Sequence, residues 1–366
     1  MRKILLINTV PTDRNGITNV IFSYLNSDLV KYYQLDYLSI NAIPETYLDT
    51  IKKSGGTSFV VNRSLKHFVG YINGLRRIIK DNHYGAVHIH GNSHTVVLEL
   101  VSAFLSGCKV RIVHAHSTSS SSHLLHLVLT PLFNVLCTNR IACGNEAGRW
   151  MFGSHEYVVI NNGINTSRFS FSEKSRDEIL SELNWKDKVV LAHVGDFSVN
   201  KNQIFLVNVL KGLLCDNDSY RLLLIGEGEQ RDMVNEKVNE YGLSEKVLFT
   251  GKIPNVNEYL NACALILMPS YYEGFPVTLI EQQANGLRCV VSDTISKDVN
   301  ITGNVTFAPL LVDKWVDLIK TLSNDSVNER QLRSRNSVDI LKAQGYDIYS
   351  SAERLEHIYN EAIQES

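Results

Sequence analysis

Short apolar, β-branched runs alternate with helix-periodic stretches along the whole chain, and they do so in two series. In the first the runs are Lys3–Asn8, Leu35–Ile40, Ser58–Val61, Ala86–His90, Val110–His114, Arg140–Cys143 and Tyr157–Asn161. In the second they are Val189–Val194, Arg221–Ile225, Val247–Thr250, Leu265–Met268, Cys289–Ser292 and Val305–Phe307. A strand with one wet face alternates polar and apolar residues. These runs are almost continuously apolar, as strands of a parallel sheet covered on both faces must be. The stretches between them, such as LKHFVGYINGLRRIIK at Leu65–Lys80, repeat apolar residues at helical spacing. The pattern predicts βαβ units and an α/β fold built on doubly wound parallel sheets.

A chain of 366 residues exceeds what one hydrophobic core usually serves, so each series is expected to form its own Rossmann-like domain. The polar segment NNGINTSRFSF, Asn161–Phe171, is the expected linker, which places one domain at 1–165 and the other at 166–349. Ser350–Ile363 reads as a helix, and its periodicity alone assigns it to neither domain. No GxGxxG follows the first run of either series, which argues against a dinucleotide-dependent oxidoreductase.

Hydrophobic residues make up 44% and charged residues 20%, an ordinary globular composition. The opening MRKILLINTV has only Ile4–Ile7 as an apolar core and no small-residue cleavage site, so it reads as a first strand rather than a signal peptide. No run reaches the roughly 18 apolar residues that a membrane span needs. The cysteines at 108, 137, 143, 215, 263 and 289 form no CxxC pair and read as reduced thiols, so a cytoplasmic chain is expected. The net charge of −2 is unevenly divided: residues 1–165 carry 15 Lys/Arg against 9 Asp/Glu, and ten of the twelve histidines. Such a half could meet an anionic surface or acceptor, although ordinary scatter of surface charge would look the same.

The stretch richest in chemistry is Met268–Glu281, MPSYYEGFPVTLIE. It leaves an apolar strand, crosses a polar-aromatic loop and enters a helix at Pro276. Glu273 would lie in the loop at the strand's carboxyl end, where open α/β sheets bind ligands, and Glu281 in the helix's second turn. The amides of Gly274, Phe275, Pro276 and Val277 mark the helix start, proline contributing its fixed φ rather than an N–H, and such a start suits phosphate or sugar oxygens. Taken alone, the two glutamates could equally be a first-turn support and a solvated helix residue.

The run Pro269-Ser270-Tyr271-Tyr272-Glu273-Gly274-Phe275-Pro276 followed by Glu281 resembles the signature of the retaining GT-B glycosyltransferases of family four. The blocks VGDFSVNK at Val194–Lys201, LIGEGE at Leu224–Glu229, FTG at Phe249–Gly251 and NGI at Asn162–Ile164 agree with it. The resemblance is closest to bacterial exopolysaccharide and capsule glycosyltransferases. It implies two facing Rossmann-like domains with a C-terminal helix, about 350–366, packed back on the first. It further implies that Glu273 holds hydroxyls of the transferred sugar, Glu281 the ribose, and Lys201 the diphosphate. The family pairs that lysine with an arginine where this chain has Asp196, whose charge would repel phosphate. In the first domain the family often has a Gly-Gly pair where Asn15-Gly16 stands; Gly16 keeps room for a diphosphate. His116, in RIVHAHSTSSSS, matches the family histidine near the donor hexose and the acceptor, with His114 two residues earlier as the competing assignment.

The expected reaction is retaining transfer of a hexose-type sugar from a nucleotide sugar, UDP-linked by family frequency, to a glycan or lipid-linked oligosaccharide. No metal, cofactor or nucleic acid is expected. Two other readings compete: a nucleotide-sugar epimerase on the same fold, and a non-catalytic GT-B subunit, to which Asp196, Arg288 and Asn165 lend weight as departures from the pattern. His88, His90 and His94 invite a metal reading, but no carboxylate or cysteine accompanies them closely. SHLLHLVLTPLFNVLCTN, Ser122–Asn139, is apolar almost all round and is expected to be a buried core helix. The less favoured reading has it dipping into a membrane interface beside the basic Leu65–Lys80 helix, with Lys66, Arg76, Arg77 and Lys80.

Overall fold

All seven runs of the first series are strands of one parallel sheet in the computed structural model, which describes residues 2–13, 15–63, 67–120 and 123–364. They are β1 (Arg2–Asn8), β2 (Tyr33–Ser39), β3 (Ser58–Val60), β4 (Ala86–Gly91), β5 (Val110–Ala115), β6 (Asn139–Ala142) and β7 (Val158–Val159), in the order β3-β2-β1-β4-β5-β6-β7. The second series forms another parallel sheet from β8 (Val189–Val194), β9 (Tyr220–Ile225), β10 (Val247–Gly251), β11 (Leu265–Met268), β12 (Arg288–Ser292) and β13 (Val305–Ala308). Its order is β10-β9-β8-β11-β12-β13. Both sheets reverse their winding beside their first strand, between β1 and β4 and between β8 and β11. At such a switch point the loops leaving the carboxyl ends diverge and leave a crevice.

The continuous apolar character of the strands has a direct consequence in the first sheet. Ile4 and Leu6 point to one face and join the helices Gly16–Leu25 and Ile348–Gln364. Leu5 and Ile7 point to the other and join the helices Phe68–Asn82, Val97–Leu105 and Asn145–Phe152. Successive residues of one strand thus feed two cores, and neither set can be polar.

The chain divides into two compact units, Met1–Asn165 with Gly345–Ser366, and Thr166–Gln344. The return to the first unit comes at Gly345 rather than at residue 350. Ile164 accepts from Ile348 N (2.8 Å) and donates to Tyr346 O (2.9 Å), so the expected linker is paired backbone where the chain comes back. Beyond it, Ile348, Ala352, Leu355, Tyr359 and Ala362 of the last helix fill the first unit's core. Tyr359 Oη also lies 2.6 Å from His88 Nδ1, and Tyr33 Oη donates to Asn360 Oδ1 at 2.6 Å.

Two helices differ from expectation. The basic helix spans Phe68–Asn82; Leu65 and Lys66 lie outside the described residues, as do Ser121 and Ser122 of the serine run. The apolar segment forms the helix His123–Leu136, but it is not a buried core helix: His126, Phe133 and Leu136 are buried while its opposite side is exposed. A helix lying on a sheet is covered on one side only, and this one is apolar on both.

Candidate functional site

In the second unit, the loops after β8 and β11 meet over the switch point. After β8 the chain passes Gly195, Asp196 and Phe197 into a 3-10 turn at Val199–Lys201, then into the helix Gln203–Leu214. After β11 it passes Pro269–Pro276 into the helix Val277–Ala284, so Pro276 caps the helix rather than entering it. Asn200 ties the loops together. Its Nδ2 donates to Tyr272 O (2.7 Å), its Oδ1 accepts from Tyr272 N (3.0 Å), and its own carbonyl accepts from Tyr271 N (2.9 Å). One side-chain amide thereby satisfies both backbone groups of the residue before Glu273.

That clamp sets the two charged groups face to face. Lys201 Nζ lies 2.5 Å from Glu273 Oε1, and both side chains are mostly shielded from water, at 18% and 11% exposure. Reduced solvent screening strengthens such a pair over one on an open surface. Glu281 is half-buried on the next helix, and burial pushes its carboxyl up to about 7, opposed by the nearby charge of Arg168. Arg168 itself donates to Pro254 O at 3.0 Å. A Cβ built at Gly274 would meet no atom within 4 Å, so the helix start is open to a ligand.

Asp196, where the family has an arginine, is exposed; its carbonyl accepts from Gln203 Nε2 at 2.7 Å. The glycines of LIGEGE earn their place sterically. Gly226 holds φ +145°, and a Cβ there would lie 1.9 Å from Gly195 O, so only glycine lets the end of β9 press on the Gly195 backbone.

His193, near the end of β8, escaped the sequence reading. It is buried, its Nδ1 lies 2.8 Å from Leu267 O, and its Nε2 has no hydrogen-bond partner. Burial lowers it to about 4, with the charges of Lys201, Glu273 and Asp196 all bearing on it. An apolar strand containing one histidine carries no sign of which loop that histidine underlies.

In the first unit, Gly16 opens the helix after β1, capped by Asn15 Oδ1 accepting from Thr18 N at 2.9 Å. A Cβ at Gly16 would meet nothing within 4 Å. Across the switch point stands a ladder of four imidazoles. His88 and His90 project from β4, His114 from β5 in register with His90, and His116 just beyond the end of β5. Spacing of two residues puts each pair on one face. The rings stack at 4.3 Å (His88–His90) and 4.2 Å (His114–His116), and His90 Nδ1 meets His116 Nε2 at 2.9 Å. Burial pushes His88 and His116 down to about 3 and holds His90 and His114 well below the usual histidine range, so all four are neutral near pH 7. His114 is fully buried, whereas His116 is half-buried.

The grouping His88–His90–His94 does not form. His94 turns away in the 3-10 turn His94–Val96, where its Nε2 lies 2.7 Å from Met151 O and its ring stacks on His126 at 3.8 Å. His88, His90 and His114 do bring ring nitrogens within 4.8 Å of one another. A tetrahedral zinc needs lone pairs converging on one point about 2.0–2.1 Å from each nitrogen. The His88 and His114 rings are stacked 5.4 Å apart at 3°, and in-plane lone pairs of stacked parallel rings do not converge.

Residues 175–337 match the family model described as glycosyl transferases group 1. A Bacillus subtilis (strain 168) protein bearing the glycosyltransferase name EpsF is 30% identical over an alignment of 366 positions, covering 95% of this chain and 94% of its own length. The Escherichia coli UDP-Gal:alpha-D-GlcNAc-diphosphoundecaprenol alpha-1,3-galactosyltransferase is 25% identical over 79% of this chain and 78% of its own length. Among solved structures, Anabaena HepE in complex with UDP superposes with a TM-score of 0.79 at 15% identity, over 98% of this chain and 100% of that one. Two all-parallel α/β units of seven and six strands are the architecture of the GT-B glycosyltransferases. The chain is a glycosyltransferase, a member of the glycosyl transferases group 1 family.

Proposed function

We propose that the chain transfers a hexose-type sugar, with retention of anomeric configuration, from a UDP-sugar to a glycan or lipid-linked oligosaccharide in surface polysaccharide synthesis. The observation that carries this is the Lys201–Glu273 pair at the β8/β11 switch point, with Glu281 and an open helix start beside it. A nucleotide sugar offers complementary groups: diphosphate for Lys201 and the amides at Gly274, Phe275 and Val277, hexose hydroxyls for Glu273, and ribose hydroxyls for Glu281. Pro276 fixes the approach of that loop to its helix. HepE's UDP complex and the E. coli relative's UDP-galactose donor and diphosphoundecaprenol-linked acceptor support the nucleotide and acceptor classes. Such an acceptor places the chain at the cytoplasmic face of the cell membrane. No helix among the described residues is long and apolar enough to cross one.

In the proposed reaction the acceptor hydroxyl attacks the anomeric carbon from the face the diphosphate leaves. The bond from that carbon to the phosphate oxygen breaks, and the acceptor's proton passes to that oxygen. Lys201 and the helix amides stabilise the departing charge, so no bound metal is required. Asp196 is exposed to solvent, and Lys201 is the cation proposed for the phosphates. In the first unit, the unobstructed helix start at Gly16 and the neutral ring of His116 are the groups proposed to serve substrate.

The test is a panel of UDP- and GDP-sugars scored for donor hydrolysis and transfer, with the product's anomeric configuration read by NMR. Glu273→Ala should abolish transfer while circular dichroism shows an intact fold. Undiminished turnover of that variant with the preferred donor would overturn the reading, and conversion of the donor without acceptor would point to an epimerase instead.

A further inference from the structure

The helix His123–Leu136 carries two apolar sides and only one partner. Its inner side is anchored: His126 stacks on His94 (3.8 Å) and on Trp150 (4.4 Å), while Phe133 stacks on His94 (4.1 Å). On the outer side Leu124 is 74% exposed, Leu127 55%, Val128 66%, Leu132 43% and Val135 78%. At about 100° per residue these side chains, with Leu125 and Pro131, fill an outward arc of roughly 160° that contains no polar residue. Single exposed leucines are commonplace on protein surfaces, but a continuous stripe along a whole helix is not.

The surroundings of the stripe carry positive charge. Arg111 donates to Leu136 O at 2.7 Å at the helix's carboxyl end and stands 5.6 Å over the ring of Phe104, which is itself exposed. Arg140 reaches Asn134 O, and Arg76 reaches the carbonyl of exposed Leu105. Between residues 67 and 140 there are six Lys/Arg against Asp81 and Glu99, and Glu99 is buried in a 2.7 Å pair with Arg63. An outward apolar stripe with cations beside it and almost no acid is the pattern of a helix lying in the interface of an anionic bilayer.

We infer that the helix His123–Leu136 docks the first unit onto an anionic membrane surface, with Leu124, Val128 and Val135 entering the acyl boundary and Arg76, Arg111 and Arg140 near the headgroups. The helix begins a few residues after His116, at the carboxyl end of β5. Docking through it brings that end of the sheet to the layer where the headgroup of a lipid-linked acceptor sits. In its purpose the inference rests on the proposed lipid-linked acceptor; the stripe and its charge stand independently.

The experiment is co-sedimentation of the full chain with vesicles of phosphatidylcholine alone and of equimolar phosphatidylcholine and phosphatidylglycerol, using wild type and the triple variant Leu124→Gln, Val128→Gln, Val135→Gln. Wild type should sediment with the mixed vesicles, and much less with neutral ones or at high salt. The triple variant should bind at least about tenfold more weakly, because three apolar side chains no longer enter the interface. Its UDP affinity by calorimetry should match wild type, so loss of docking is distinguishable from failure of the donor site. A Val128→Trp variant should shift its emission to the blue on mixed vesicles. Equal sedimentation of wild type and triple variant, absence of wild-type binding, or an unshifted Trp emission would overturn the inference. A wild-type dimer in light scattering that the triple variant dissociates would equally overturn it, assigning the stripe to a second copy of the chain.

Discussion

Lys201 and Glu273 lie 72 residues apart in the chain, yet Nζ and Oε1 sit 2.5 Å apart because β8 and β11 are neighbours across the switch point. In the free protein each charge neutralises the other; in the proposed donor complex the lysine would also serve a diphosphate. The two side chains should therefore separate in measurements. Lys201→Met removes a charge-assisted bond to phosphate worth about 1.5–3 kcal/mol, so UDP should bind roughly 10- to 100-fold more weakly. Glu273→Gln should leave UDP affinity within about threefold of wild type, since it addresses the hexose, while transfer falls by at least about a hundredfold. Calorimetry with UDP beside turnover with the UDP-sugar checks both. Equal loss of UDP affinity in the two variants would contradict the assignment of separate partners.

If Glu281 holds the ribose as proposed, it will set a pH dependence on nucleotide binding. Its carboxyl, pushed up to about 7 by burial, is substantially protonated at pH 6 and ionised at pH 8. Ribose hydroxyls donate to a carboxylate, so binding should favour the ionised form, release protons near neutral pH and tighten as pH rises from 6 to 8. The phosphate of UDP titrates too, but its contribution is common to wild type and Glu281→Gln. The difference between the two in proton release, read by calorimetry in buffers of different ionisation enthalpy, isolates the carboxyl. No difference would remove Glu281 from the ribose.

The imidazole ladder predicts acid sensitivity of the fold. Folded-state values for His88 and His116 are about 3, and those for His90 and His114 are also well below the ordinary 6.5. The unfolded chain takes up these protons first. The stability from neutral burial is thus complete above about pH 6.5 and is lost as pH falls toward 3, at about 1.4 kcal/mol per pH unit for each histidine. Glu281 works in the opposite direction between about pH 4.5 and 7, by one proton. His114→Leu isolates one rung: neither ring nitrogen has a partner, so at pH 8 the variant should be within about 1 kcal/mol of wild type. In urea titrations at pH 7, 6 and 5, its stability should fall with a slope about one proton shallower. A parallel slope would mean that His114 is not buried neutral.

Much of this was legible in the residues, and what was not has physical reasons. Strands such as Ala86–Gly91 declared themselves because a run buried on both faces admits no polar alternation. The EGFP block located Glu273 and Glu281, because a helix start at a strand's carboxyl end is a local event. Partnerships made by register or by distant loops left no local mark. His88 and His90 had to share a face, but only the pairing of β4 with β5 brings His114 and His116 to them, while His94 leaves with its own turn. Asn200 looks like any loop asparagine until the β11 loop passes its amide. The helix His123–Leu136 shows the limit most plainly: apolar residues all round state that both sides avoid water, not what covers each.

His193 makes the sharpest case for a group that only the fold reveals. Leu267 O cannot donate, so the proton of the neutral ring is on Nδ1 and the Nε2 lone pair is left as a buried acceptor without a partner. That lone pair faces the loop after β8: a Cβ at Gly195 would lie 3.1 Å from Nε2. A buried acceptor with no partner costs stability unless a ligand supplies a donor, and a hydroxyl of the proposed donor sugar would be such a group. Asparagine and glutamine divide the two functions of the ring. His193→Asn places an amide near Nδ1, keeping the bond to Leu267 and losing the acceptor; His193→Gln extends to the position of Nε2, keeping the acceptor and losing the bond. A binding role predicts that Asn raises the donor KM about five- to tenfold with the melting temperature little changed, while Gln holds KM and lowers the melting temperature. A purely structural role predicts the same melting temperatures, but with KM insensitive to Asn. Because the ring is neutral down to about pH 4, the Asn effect should also be the same at pH 6 and pH 8, which separates it from the titration of Glu281.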